Sequence, residues 1–246
     1  MVDVRNETAV ARPPQEVISA PRHGAIGDPN RKTAVVVGVL YIVGTVAGIL
    51  SLVVTGGILG EPYSLSSVAN NAGHIRLGAL LVLVMGLALA MVAVLLYPIL
   101  RRQNEAMALG YVVFRGALET GFYIAGAIVW LLLVVVAQQT VTSDSSNVGL
   151  LLFKAGDPIN AVGTIFFSLG ALMLYYLLYR SRLIPRWISM WGIVGVGAYL
   201  AAGLIAVYGS SLEILFMPLA LQEMVMAIWL IVKGFDTTAL PPVQPG

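Results

Sequence analysis

Three ionisable residues stand where the surrounding sequence leaves no room for water: Arg115, Glu119 and Glu223. Glu223 has nine uncharged residues before it (Ile214 to Gln222) and nine after it (Met224 to Val232). A carboxylate at the centre of such a run is expensive, at roughly 2.5–3.5 kcal/mol on insertion scales, so it must turn inward and find a partner or a proton. Arg115 lies ten residues beyond Glu105, and Glu223 lies ten residues before Lys233. Helical rise therefore places both about 15 Å from the same end of the molecule. Glu119 follows Arg115 by four residues and shares its helix face. One Arg with two Glu carries a charge of −1, which a proton on one carboxyl relieves. Two chemistries fit: a site for a proton or polar ligand, with Gln222 adding hydrogen-bonding capacity, or an Arg fork that clamps two helices together.

The elements that must hold these residues follow from composition. Of 246 residues, 59% are hydrophobic and only 11% charged, and mean hydropathy is +0.90, a balance that points to an integral membrane protein. A bilayer core of about 30 Å needs about 20 apolar residues in helix. Runs at about 33–60, 77–100, 158–179 and 187–210 meet this without interruption. Two more, at about 106–137 and 213–233, are interrupted by Arg115 with Glu119 and by Glu223. The sequence thus predicts an all-α bundle of six transmembrane helices, and continuous apolar runs argue against the alternation of a β-barrel. Pro62, Pro98, Pro158 and Pro185 are expected at or near helix ends, while Pro218 is expected to kink the last helix. Residues 1–32 and 236–246, rich in proline, are expected to be disordered tails. The first apolar run is too long for a cleaved signal peptide.

Counting Lys and Arg between spans gives five before the first span, two after the second, three after the fourth (Arg180, Arg182, Arg186) and one after the last. The opposite side holds only Arg76 and Lys154. The positive-inside bias predicts both termini in the cytoplasm. Outside, residues 60–76 and 138–157 form short polar loops. There His74, Arg76, Lys154, Asp157 and Asn160, with Asn147 nearby, could form a weaker outer-mouth site, although solvated helix ends explain them as well. Trp187, Trp191, Tyr97 and Tyr179 read as interfacial anchors, and Tyr175 and Tyr176 as packing residues. Gly44 and Gly48 form a G-x-x-x-G that suits packing within the chain.

The inventory bears on enzymes too. The chain has no cysteine and two histidines, His23 and His74, so thiolate, three-histidine and bis-histidine metal sites lack ligands. No G-x-S-x-G, H-E-x-x-H or phosphate loop occurs. No metal or cofactor is implied and no catalytic residue stands out, which leans against an enzyme. The expected partner is the lipid bilayer, with a protein or a small polar ligand as further candidates and no nucleic acid.

The string Leu183-Ile184-Pro185-Arg186-Trp187, the Arg115/Glu119 pair, and the ending with Pro218, Glu223, Trp229-Leu230 and Lys233-Gly234-Phe235 resemble a bacterial integral membrane family called domain of unknown function 4386. The resemblance runs over roughly Lys32 to Phe235. It implies a similar number of spans and marks Arg115, Glu119 and Glu223 as motif positions, but brings no activity with it. The sequence therefore leaves open a small carrier or sensor of the bacterial cytoplasmic membrane, or a partner subunit whose Arg/Glu/Glu cluster only clamps the third and sixth spans.

Overall fold

The computed structural model describes residues 29–139 and 143–236. Most of the two expected tails, with His23, lies outside the described residues. The apolar runs fold as helices because backbone groups in hydrocarbon have no other way to satisfy their hydrogen bonds. In chain order these are α1 (Pro29–Thr55), the short α2 (Leu65–Asn70), α3 (Ala72–Leu100), α4 (Glu105–Tyr111), α5 (Thr120–Ala137), α6 (Ser143–Ser181), α7 (Arg186–Val207) and α8 (Met217–Val232). A π-helical segment, Val112–Glu119, joins α4 to α5 without a break, so these form one span, Glu105–Ala137. Six helices are long and apolar enough to cross a membrane, and the described residues contain no strand.

The six spans close into a ring in sequence order. α1 packs on α3, α3 on α5, α5 on α6, α6 on α7, α7 on α8, and α8 returns to α1. Each seam has a glycine pressed against the neighbouring helix: Gly38 on Ala227, Gly44 on Leu89, Gly86 on Tyr123, Gly163 on Phe122, Gly203 on Thr164 and Gly195 on Leu219. Small residues let helices approach where lipid supplies no hydrophobic drive for association. Gly44 and Gly48 thus pack within the chain, against Leu89 and Met85 of α3.

The end of the ring nearest the termini is filled. Tyr41, Val92, Leu100, Tyr111, Tyr175 and Ile188 are all buried there in one apolar cluster. Leu183 and Ile184, from the turn between α6 and α7, plug into it. Arg31 ties α1 to the end of α8, donating to the carbonyls of Leu230 (3.1 Å), Ile231 (2.7 Å) and Val232 (3.2 Å). These are carbonyls that a helix C-terminus leaves unpaired. At the opposite, distal end, α2 folds over α3 and α5 in a second cluster containing Leu65, Val68, Ile75 and Leu133.

Two expectations about proline are corrected. Pro158 lies inside α6, which starts at Ser143 and not near Pro158 as expected. The polar stretch before it is helical because α6 extends beyond the apolar layer, where side chains such as Lys154 meet partners in water. Pro218 occupies the first turn of α8, preceded by a 3-10 turn at Glu213–Phe216. Its missing N–H is one that a helix start leaves free anyway, so it opens the helix instead of kinking it.

Candidate functional site

Arg115 and Glu119 both lie in the π-helical segment. Wide turns of this kind are rare and concentrate at functional sites. Gly170 of α6 permits the segment's position, since a Cβ there would come within 3.1 Å of the Arg115 backbone nitrogen. Arg115 is buried to 3% exposure, and its guanidinium lies 4.5 Å above the Phe167 ring. That geometry adds a cation–π contact to the ion pairs.

The two carboxylates are held unequally. Glu119, 2% exposed, accepts from Arg115 Nη1 at both oxygens, at 2.8 and 2.9 Å, and from the Tyr123 hydroxyl at 2.6 Å. Among the described residues Glu223 accepts only from Arg115 Nη2, through one oxygen at 3.4 Å, and its side chain is 16% exposed. Arg115 therefore gives one amino group to each carboxylate, bridging the third and sixth spans, but its strong contact is to Glu119. Four-residue spacing extends the pattern to Tyr123, so Arg115, Glu119 and Tyr123 form one stripe along the span.

Glu223 looks into a cavity of about 400 Å³ on the distal side of the cluster, in the middle of the helix ring. Arg115, Leu89 and Phe167 share its floor, and Trp130, Tyr199 and Asn160 stand on its walls. Ile49 and Leu52 of α1 reach its rim while also exposed on the outside, at 56% and 66%. On the other side of the cluster, Tyr41, Tyr111 and Tyr175 lie within electrostatic reach of Glu223 and Arg115. Tyr111 interacts with Tyr41 and Tyr175 with Gln222, whereas the buried Ser189 Oγ has no hydrogen-bond partner among the described residues.

Other residues singled out from the sequence divide differently. Gln222 does not join the ion cluster: it is one residue, and so about 100° of helix rotation, from Glu223, and its amide donates to the Ile188 carbonyl at 3.1 Å. The outer-mouth groups do not converge on one site. Arg76 donates to Gln138 at 3.0 Å, and Lys154 pairs with Glu61 at 2.7 Å, with Asp157 in electrostatic reach. Hydrogen bonding to the Lys154 ammonium holds the Glu61 carboxyl below the usual glutamate range. His74 and Asn147 are exposed, and of this group only Asn160 lines the cavity. Tyr175 is fully buried as expected of a packing residue, whereas Tyr176 is 43% exposed. Among the described residues, no three His, Asp or Glu side chains come together as a metal site would require.

Tyr123 was within reach of the sequence, because it repeats the interval that links Arg115 to Glu119. Phe167, Trp130 and Tyr199 were not, because an aromatic residue in an apolar run gives no sign of whether it faces lipid, a neighbour or a cavity. No curated protein and no solved structure matches the chain. Residues 36–234, which include every member of the cluster and its cavity, match a family described as a domain of unknown function (DUF4386), and the chain belongs to that family.

Proposed function

We propose that the protein binds a small ligand or a proton in its central cavity, with Glu223 as the binding carboxylate, and works as a carrier or sensor in the bacterial cytoplasmic membrane with both termini inside. The observation that carries this is the inequality of the two carboxylates. Glu119 is saturated by Arg115 and Tyr123, while among the described residues one oxygen of Glu223 has no hydrogen bond and the side chain lines the cavity. A pure clamp has no need of a second carboxylate left partly exposed to a cavity. The orientation rests on the distribution of Lys and Arg among the loops.

The absence of cysteine makes a direct test available. Leu89→Cys places a thiol on the cavity floor, and Val92→Cys places one in the filled layer next to it. In reconstituted protein, a small cationic methanethiosulfonate reagent is expected to modify the first and not the second. Equal protection of both thiols would remove the cavity from the argument. The clamp remains the competing role because Arg115 does bridge the third and sixth spans, and comparing the stabilities of Glu223→Gln and Glu119→Gln separates the two.

A further inference from the structure

We infer that the cavity takes an organic cation with an apolar body, an amine or quaternary ammonium whose charge sits against Glu223. This rests on the cavity being a ligand site and adds the class of ligand. Charge arithmetic comes first. The cluster holds one guanidinium and two carboxylates, and apart from Arg115 and Glu223 no cavity-lining residue carries a formal charge. An ionised cluster therefore leaves −1 facing the cavity, in a medium where charge is weakly screened. A bound monocation balances it. An anion would have to displace Glu223 from Arg115 and then raise the imbalance.

The walls select for the rest of the molecule. Phe122, Tyr123, Trp130, Phe167 and Tyr199 all line the cavity, and aromatic faces attract ammonium groups while also packing apolar substituents. Phe167 already accepts a cation in this way from Arg115, at 4.5 Å. Of the neutral polar side chains in the lining, Ser51 and Tyr123 already donate to the Gly48 carbonyl and to Glu119, which leaves Thr45, Trp130, Asn160 and Tyr199 among mostly apolar neighbours, so a heavily hydroxylated solute would leave many of its polar atoms unpaired. A volume of about 400 Å³ suits a small organic molecule. Because Ile49 and Leu52 form an apolar rim, an amphiphile from the membrane meets a surface it can cross, and a hydrated inorganic ion does not.

The test is calorimetric titration of the full chain in nanodiscs with three compounds of nearly one shape. Benzyltrimethylammonium is the cation, neopentylbenzene its neutral isostere and phenylmethanesulfonate the anion. The cation is expected to bind at one site, with the other two weaker by about tenfold or more, since a weakly screened ion contact together with cation–π contacts is worth at least that factor. Glu223→Gln should erase the difference between cation and neutral isostere. Gly126→Leu supplies a check that leaves the cluster intact: Gly126 lines the cavity, and a Cβ there meets nothing within 4 Å. It should fold normally and lose the cation. Preference for the anion, or equal binding of the neutral isostere by the wild type, would overturn the cation class and leave the cavity as a site for something else. Binding of the cation that survives both Glu223→Gln and Gly126→Leu would also overturn it, as association with the surface. If none of the three compounds binds, both the class and the cavity reading fall.

Discussion

At the scale of single residues, the same arginine serves two glutamates and the difference lies in what else each one has. Glu119 completes its coordination with Tyr123, whose hydroxyl donates at 2.6 Å. Tyr123→Phe removes that donor from a buried charged group and should lower stability by about 1 kcal/mol, measurable by thermal unfolding in detergent. Arg115→Met is a harsher change because it strands two carboxylates at once. It should lose about 3 kcal/mol or more. At the distal surface the fully exposed Glu61 and Lys154 pair behaves differently. Glu61 is shifted down on folding by its hydrogen bond to Lys154, so its small stabilising contribution is present above the unfolded pKa and disappears as pH falls through the lowered folded value. Carbon-13 NMR should show Glu61 titrating below a free glutamate side chain, and Lys154→Met should return it to the ordinary range.

At the scale of elements, two glycines fix where the site stands. Gly170 brings α6 against the backbone of the π-helical segment, and Gly192 on α7 leaves room for the Tyr175 ring, which a Cβ would meet at 2.5 Å. Tyr175 is wholly buried and has no space to swing away. Gly192→Ala should therefore destabilise by about 1–3 kcal/mol through overpacking, seen as a lower unfolding midpoint. The spans could be read from sequence because hydrocarbon demands long apolar runs, and Glu223 could be placed by counting inward from both ends. The first third of α6 could not. Its Ser, Asp and Asn content reads as loop, yet a helix of 39 residues is about 58 Å long, and the excess stands beyond the apolar layer where such residues are at home. The π-helical segment has no local signature in the sequence either, and α6 packs beside it at Gly170.

At the scale of the whole molecule, the helix ring explains why three distant residues meet. Closure of α8 onto α1 and the approach of α6 to the π-helical segment bring Arg115 and Glu223 together across 108 positions of sequence. The ring order was not legible, because helix faces toward lipid are as apolar as faces toward neighbours: Leu80, Leu87 and Val194 are all exposed, and beyond the short Arg115/Glu119/Tyr123 row no polar stripe marks the inside. Orientation makes its own prediction. If both termini lie in the cytoplasm, as we propose, a membrane-impermeant maleimide applied to intact cells should label Gly57→Cys in the distal loop and spare Gln103→Cys in the loop at the other end. On this reading Glu223 serves a ligand more than the fold. The most direct test is the unfolding free energy of Glu223→Gln beside Glu119→Gln, each with and without Arg115→Met. Glu223→Gln neutralises the surplus charge and leaves the Arg115–Glu119 pair whole, so it should be as stable as the wild type or more so, as expected for a group retained for function, while Glu119→Gln should be clearly destabilised. A loss of about 3 kcal/mol in Glu223→Gln, largely recovered when Arg115→Met is added, would contradict the claim and make Glu223 a clamp.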